Sequence, residues 1–234
     1  MRKTNFFACC LLSASLLFST GCNMNNTGKG ALIGGGGGAA VGAGLGAIFG
    51  GGKGAGIGAA IGTAVGAGAG ALIGKKMDKQ KAELEKELAE KAQVETVTDQ
   101  NGLQAIKVTF SSGILFPTNG TTLNQAAKND LTSFATSLIN NPDTDVQIYG
   151  FTDNTGSMAA NEKVAAGRAD AVKTFLTNSG VSASRITAEG IPMADYVASN
   201  DTPEGRAQNR RVEIYITANK KMIDQAEQGT LSML

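Results

Sequence analysis

The 234-residue chain contains no histidine and no tryptophan, and its three cysteines all lie near the N-terminus. Histidine is the commonest general base and the commonest zinc ligand, so its absence argues against a metalloenzyme or a histidine-dependent hydrolase. Basic residues number 21 and acidic residues 20, which gives a net charge of +1. This balance predicts no polyanionic partner such as a nucleic acid. We expect no metal and no cofactor.

Cys9, Cys10 and Cys22 cannot form a disulfide with any later part of the chain, because no cysteine follows them. Residues 1–21 have the layout of a secretory signal: the basic stretch MRKTN, the apolar run FFACCLLSASLLF, and the small residues STG. The apolar run is too short to span a bilayer comfortably. An ordinary signal cut nearby, with Cys22 left as a free thiol, is the alternative to the lipoprotein signal described next.

The segment around Cys22 resembles a bacterial lipoprotein signal, in which this cysteine is lipidated, for example with palmitate, and becomes the mature N-terminus. Ser19 departs from the leucine usual three residues before the cysteine. Acyl chains contribute about 0.8 kcal/mol for each buried CH₂ group, so two or more of them anchor a protein stably. In such lipoproteins an aspartate directly after the lipidated cysteine retains the protein in the inner membrane. This chain has Asn23 at that position, so the resemblance implies the outer membrane. Residues 22–29 would then form a lipid-anchored tether.

Residues 30–74 form a glycine-rich ladder with 20 Gly and 12 Ala in 45 residues and Lys53 as the only charge. Eleven glycines follow one another in steps of four from Gly34 to Gly74, which draws a flat stripe along a helix. Small residues at this spacing let two helices approach closely in a membrane. A break at 50–54 divides the ladder into two arms of near-bilayer length, so we expect a membrane-associated helical hairpin. A disordered spacer is the alternative.

Residues 75–95 are rich in helix formers and in charges of both signs. Met77, Leu84 and Leu88 make only a thin apolar stripe, which predicts a solvated helical spacer that carries the next domain away from the membrane. Pairing with a second copy of the chain is the alternative. Residues 220–234 are left as a C-terminal tail without a predicted structure.

Residues 96–219 have the composition of a globular domain. Alternating apolar residues predict strands at 103–110, 145–151, 185–190 and 210–217. Helices are predicted at 123–140 and 158–178, and a short one at 202–208. The fold class is therefore α/β, arranged as an α+β sandwich: a mixed sheet of about four strands with helices on one face.

The loop after the second of these strands presents Asp153, and Arg168 lies fifteen residues later on an apolar line of the following helix. Because helical side chains lean towards the N-terminus, Arg168 should point to the helix start, where the Asp153 loop arrives. The N–H groups of the first helical turn also favour an anion there. A ligand with both an ammonium and a carboxylate group would suit such a site. An internal Asp153–Arg168 salt bridge is the alternative.

Two stretches of this domain, GFTDNTGS…NEKVAAGRADAVKTFL and SNDTPEGRAQNRRVEI, resemble the peptidoglycan-binding domain shared by OmpA, Pal and the MotB C-terminus. The resemblance covers about residues 103–217 and keeps the Asp-to-Arg spacing of fifteen. It departs from the family pattern at Val164-Ala165, Pro117, Pro192 and Tyr196, which changes the rim loops. The glycine ladder in turn resembles the glycine-zipper segments of bacterial envelope lipoproteins.

The resemblance implies that Asp153 binds the free amino group of a diaminopimelate side chain in the wall peptide and that Arg168 binds its carboxylate. Other implied residues of this ligand site are Thr152, Asn161, Thr118, Asn119 and Arg210, whereas Arg206 and Asn209 are expected to be structural.

The implied function is that of a non-enzymatic lipoprotein of the outer membrane, whose periplasmic domain binds peptidoglycan and tethers the membrane to the wall. No catalytic residue is expected. An assembly module that forms homo-oligomers through the glycine ladder is one alternative. A cell-wall hydrolase is another, although Asp153 has no evident catalytic partner in the sequence.

Overall fold

Five strands form one mixed sheet in the computed structural model, which describes residues 65–232 apart from residues 90, 100, 118 and 119. The strands are β1 (Gln93–Thr98), β2 (Gln104–Ser111), β3 (Thr144–Phe151), β4 (Ile186–Ile191) and β5 (Arg211–Ala218). Their order across the sheet is β1-β2-β5-β3-β4. Only β3 and β4 run parallel, and the other neighbours are antiparallel. The predicted fold class is confirmed.

The helices of the described residues connect and cover these strands. They are α1 (Ala67–Glu87), α2 (Ser112–Leu115), α3 (Gln125–Asn140), α4 (Met158–Asn178), α5 (Pro203–Asn209) and α6 (Lys220–Glu227), with a 3₁₀ turn at Ala183–Arg185. Side chains of Asn124, Ser157, Thr202 and Asn219 cap α3, α4, α5 and α6 by accepting a backbone N–H bond.

One face of the sheet carries the main hydrophobic core, and the helices pack on that face. Val212, Ile214 and Ile216 of β5 alternate toward this core and are fully buried. Phe110 of β2 meets Phe134 of α3 edge-on, with ring centroids 6.3 Å apart. The arrangement confirms helices on one face.

The opposite face of the sheet has a smaller cluster of Tyr149, Phe151 and Tyr215. The Arg211 guanidinium lies over the Phe151 ring, 3.8 Å from its centroid, and pairs with the buried carboxylate of Glu213. This charged network lies at the start of β5, and Arg210 is the residue that immediately precedes the strand.

The sheet has five strands rather than the predicted four. The additional strand, β1, is an edge strand paired with β2, and it spans the boundary that the sequence placed between spacer and domain. Its residues are exposed or half-buried, so its sequence QVETVT lacks the strong apolar alternation of the inner strands.

The prediction of a solvated spacer helix is wrong for α1. This helix begins inside the glycine ladder and packs against α6, α3 and the β1–β2 hairpin. Ile73, Met77, Leu84 and Leu88 are fully buried, so the apolar stripe is longer than the part visible after residue 74. The predicted boundary at residue 74 therefore lies inside this one helix.

The last part of the glycine ladder therefore packs on the domain. Val65, Ala69 and Ile73 join the same core as the sheet, and a Cβ at Gly74 would lie 3.3 Å from Oε1 of Gln104. The rest of the predicted hairpin, together with the signal and Cys22, lies outside the described residues. Within the described part of the chain, no helix has the length and apolar character needed to cross a membrane.

The C-terminal residues are also part of the folded unit rather than a separate tail. Met222, Ile223 and Ala226 of α6 are buried against α1, and Leu231 beyond the helix joins the same core. The helix was missed because its apolar residues form a short run between lysines and glutamines.

Candidate functional site

A pocket of about 910 Å³ opens between β2–α2, the loop after β3, and the helices α4 and α5. The lining residues come from distant parts of the chain and are Ser111, Gly113, Phe116, Pro117, Thr152, Asp153, Thr155, Gly156, Ala160, Asn161, Val164, Arg168, Arg206, Ala207 and Arg210. The pocket thus contains Asp153 and Arg168 together, as the sequence predicted. Asp153 is the only acidic residue among these described lining residues.

Asp153 lies in the loop between β3 and α4 and is largely buried. Its Oδ1 accepts a hydrogen bond from the backbone N–H of Thr155 at 2.8 Å, and its Oδ2 accepts one from Nη1 of Arg210 at 2.5 Å. Burial acts to raise the pKa of Asp153, but the hydrogen bonds from Thr155 and Arg210 outweigh it and lower the pKa below the ordinary value. The carboxylate is therefore held in its charged form.

Arg168 projects from α4 and is only 3% exposed. Its Nε donates to the carbonyl oxygen of Gly120 at 3.1 Å, and its guanidinium lies over the Phe116 ring, 5.4 Å from the centroid. Within the described residues its terminal Nη nitrogens donate no hydrogen bond. Burial and then the positive charge of Arg210 lower the pKa of Arg168, while Asp153 acts to raise it. The guanidinium is thus fixed at its base, and its donor end at the pocket has no hydrogen-bond acceptor among the described residues.

Asp153 and Arg168 do not form the internal salt bridge that the sequence left open as an alternative. Among the described residues the ion-pair partner of Asp153 is Arg210, whose side chain is 40% exposed. Arg206 also lines the pocket, so three arginines and one aspartate line it. This excess of positive charge favours a ligand that carries at least one carboxylate.

Thr152 and Asn161 hold the walls of the pocket by hydrogen bonds to backbone groups. The Thr152 hydroxyl accepts from the N–H of Met193 at 3.0 Å. Nδ2 of Asn161 donates to the carbonyl oxygens of Thr155 and Ser157 at 2.9 and 3.0 Å. Asn161 therefore fixes the Asp153 loop against the first turn of α4.

Thr118 and Asn119, which the sequence also placed at the site, lie outside the described residues. Their neighbours Pro117 and Gly120 are described: Pro117 lines the pocket and Gly120 accepts the bond from Arg168. The contact between Gly120 and Arg168 was not predicted, and neither was the stacking on Phe116. Gly120 and Phe116 are both far from Arg168 in the sequence, so no local pattern predicts either contact.

The rim loop at 192–201 is fastened by Arg206 and Asn209. Oδ1 of Asn209 accepts from the N–H groups of Val197 and Ala198, and its Nδ2 donates to the Ala198 carbonyl. Nη1 of Arg206 donates to the carbonyl of Asn200 at 2.7 Å. These are the structural roles expected for both residues. The described residues contain no cluster of three or more potential metal ligands.

Comparison with known proteins places two family profiles on the chain. The OmpA family matches residues 115–210, and the YMGG-like Gly-zipper family matches residues 1–78. The chain is 41% identical over 112 residues to "Probable lipoprotein YiaD" of Escherichia coli K12, a match that covers 48% of this chain and 51% of that protein.

A second relative, "Peptidoglycan-binding protein ArfA" of Mycobacterium tuberculosis H37Rv, is 41% identical over 112 residues, or 48% of this chain and 34% of that protein. The chain thus spans about half or less of the length of these relatives. Among solved structures, the cell wall anchor of the T6SS from Pseudomonas aeruginosa matches with a TM-score of 0.51 and 29% identity. That match covers 58% of this chain and 97% of the other.

Proposed function

Because this chain carries an OmpA family domain and a YMGG-like Gly-zipper segment, we propose that it is a non-enzymatic lipoprotein that binds peptidoglycan without a covalent bond. The proposed ligand group is the free amino-acid end of a diaminopimelate side chain in the stem peptide. Attachment of the chain to the outer membrane would then tether that membrane to the wall from the periplasmic side.

The observation that carries this proposal is the donor end of Arg168, which has no hydrogen-bond acceptor among the described residues and lies in the same pocket as Asp153. A buried guanidinium with free Nη donors is suited to bind a carboxylate in a bidentate manner. The neighbouring Asp153 carboxylate, kept charged by its hydrogen bonds, is suited to bind an ammonium group. Diaminopimelate carries both groups on one carbon atom.

The names of the similar proteins support the same reading. One relative is named as peptidoglycan-binding, another as a lipoprotein, and the similar solved structure as a cell wall anchor. For this chain we propose lipidation at Cys22 and association of the glycine-rich segment with the membrane. With the domain held near the wall polymer, effective concentration would compensate for a modest affinity at each pocket.

Binding rather than hydrolysis is favoured by the chemistry of the pocket. Most glycoside hydrolases use two carboxyl groups about the scissile bond, and Asp153 is the single acidic residue among the described lining residues. The Asp153 carboxylate is also engaged by Arg210 and Thr155, so it is not poised as a nucleophile.

Purified sacculi and the tripeptide L-Ala-γ-D-Glu-meso-diaminopimelate test the proposal. Arg168→Gln should abolish cosedimentation with sacculi and weaken the calorimetric affinity for the tripeptide by at least about tenfold, the loss expected for one charge-assisted hydrogen bond. Asp153→Asn should also weaken binding in both assays. Asp170→Asn and Lys173→Gln serve as controls, because these residues lie on the same helix outside the pocket lining.

Circular dichroism must show that both site variants keep the wild-type fold. Wild-type affinity for the tripeptide in the folded Asp153→Asn and Arg168→Gln proteins would refute the assigned site. Release of soluble muropeptides from the sacculi by the wild-type protein would support a hydrolase instead.

A further inference from the structure

The carboxylate proposed to receive the ligand's ammonium group already has a cationic partner within the chain. Nη1 of Arg210 donates to Oδ2 of Asp153, and among the described residues this is the only hydrogen bond that the Arg210 guanidinium donates. Asp153 is nearly buried, whereas the Arg210 side chain is 40% exposed. The pair therefore consists of a fixed anion at the pocket wall and a cation that reaches in from the rim.

The two arginines beside Asp153 differ in how firmly they are held. Arg168 is anchored by its Nε bond to Gly120 and by the Phe116 ring, and it is almost completely buried. Among the described residues, the Arg210 side chain has a polar contact with Asp153 alone. Its backbone, in contrast, is fixed, because its N–H donates to the Arg206 carbonyl at 3.0 Å and Arg211 next to it is buried in its own ion pair. The Arg210 side chain can therefore leave Asp153 without a change in its backbone.

An ammonium group that approaches Asp153 meets the positive charge of Arg210 at the same carboxylate. Two like charges within about 4 Å repel each other, and they do so more strongly at a partly buried site than in water. The ammonium must therefore either displace the Arg210 side chain or bind against its repulsion. Displacement exchanges one cation for another at Asp153, and binding beside Arg210 works against the repulsion between the two cations. In both cases the net gain is small.

We propose that Arg210 is an internal counter-ion of the pocket, which neutralises Asp153 in the free protein and which the ligand's ammonium group has to displace. This inference rests on the proposed function. The main source of affinity is then the ligand's carboxylate, which Arg168 binds. Competition from Arg210 reduces the contribution of the ligand's ammonium group. The pocket then discriminates chiefly by the carboxylate of the diaminopimelate side chain.

The test compares two peptides on each protein variant. One is L-Ala-γ-D-Glu-meso-diaminopimelate, and the other is the same tripeptide with the side-chain amino group acetylated. The dissociation constant of the acetylated peptide divided by that of the amino peptide measures what the ammonium group contributes to affinity. This ratio does not change when a substitution weakens the binding of both peptides alike. Calorimetry on the wild-type chain, Arg210→Gln, Arg210→Lys and the control Lys163→Gln gives four ratios.

Arg210→Gln should raise this ratio about tenfold over the wild-type value, because one competing charge is removed. Arg210→Lys keeps the charge and should stay near the wild-type ratio. Lys163→Gln removes an exposed positive charge of α4 outside the pocket lining and should also leave the ratio unchanged. An equal or lower ratio in Arg210→Gln would overturn the inference even though the wild-type protein binds.

A measurement on the unaltered protein avoids any effect of the substitution on folding. In an NMR titration, the Arg210 side-chain resonances should shift toward free-arginine values with the amino peptide and stay unchanged with the acetylated one. Unchanged Arg210 signals on saturation with the amino peptide would contradict displacement. Failure of the wild-type protein to bind either peptide would instead refute the proposed function itself, and this inference with it.

Discussion

Gly150 of β3 passes so close to Ala165 of α4 that a Cβ at position 150 would lie 2.3 Å from the Ala165 carbonyl oxygen. Gly190 of the neighbouring strand makes a similar approach, since its added Cβ would lie 2.4 Å from the Ala166 backbone nitrogen. These two glycines let α4 lie directly on β3 and β4. This short distance between helix and sheet places Arg168 of α4 in the pocket lining.

Gly150→Ala should lower the free energy of unfolding by about 2–3 kcal/mol, because backbone atoms on both sides must move to admit the methyl group. It should also weaken tripeptide binding, since α4 carries Arg168. Urea unfolding and calorimetry check the two effects. The matched control is Gly68→Ala in α1, where nothing lies within 4 Å of the added Cβ. A wild-type midpoint in Gly150→Ala would contradict the close packing.

Glu213 is a buried carboxylate that is paired with Arg211 at 2.7 Å and with Lys107 at 3.1 Å. Burial acts to raise its pKa, but the hydrogen bond and charge of Arg211, the Tyr215 hydroxyl and Lys107 together lower it below 4.5. Glu213→Gln should lower the free energy of unfolding at neutral pH by about 3 kcal/mol, because Arg211 loses its buried counter-ion.

The pH dependence of that difference follows from the direction of the shift. Because the folded-state pKa of Glu213 is depressed, its stabilising effect is full above pH 4.5 and disappears as the pH falls through the lowered folded value. The gap in unfolding free energy between the wild type and Glu213→Gln should therefore close in strong acid. Glu189→Gln, an exposed position on an edge strand of the same sheet, is the control. A gap independent of pH would show that packing rather than charge is lost.

Met77 tests the attachment of α1 to the domain. Met77→Ala should lower the free energy of unfolding by about 3 kcal/mol, since the side chain is fully buried and its removal leaves a cavity. Lys86→Ala on the exposed side of the same helix should have little effect. Urea unfolding of the full chain separates the two expectations. Equal midpoints for both variants would mean that α1 stands free as a solvated spacer.

Asn161 tests whether the Asp153 loop must be held in place. Asn161→Ala removes two side-chain hydrogen bonds to the Thr155 and Ser157 carbonyls, which should lower the unfolding free energy by about 1–3 kcal/mol. Tripeptide affinity should fall as well, because the loop that positions Asp153 loosens. Asn178→Ala, exposed at the far end of the same helix, is the control. If affinity is unchanged in Asn161→Ala, the loop holds its conformation without that side chain.

The inner part of the fold could be predicted because local pattern and tertiary role agree there. The four predicted strands, β2 to β5, direct apolar residues toward one core, and α4 has both a serine cap and a regular apolar face. β1 and α6 escaped prediction for the opposite reason. β1 is an exposed edge strand with a weak period, and α6 gains its stability from packing on α1.

By itself the sequence determined the fold class and the meeting of Asp153 with Arg168, because a spacing of fifteen residues across a strand end and a helix start is a local property. Only the tertiary structure decided which cation Asp153 holds and where the helix after the glycine ladder packs. Arg210 lies 57 positions from Asp153, and it reaches the carboxylate because β5 lies next to β3 in the sheet. Likewise, the thin apolar stripe of α1 is buried only because α6 and the β1–β2 hairpin return to cover it. Contacts of this kind depend on how distant segments are brought together, which no local periodicity records.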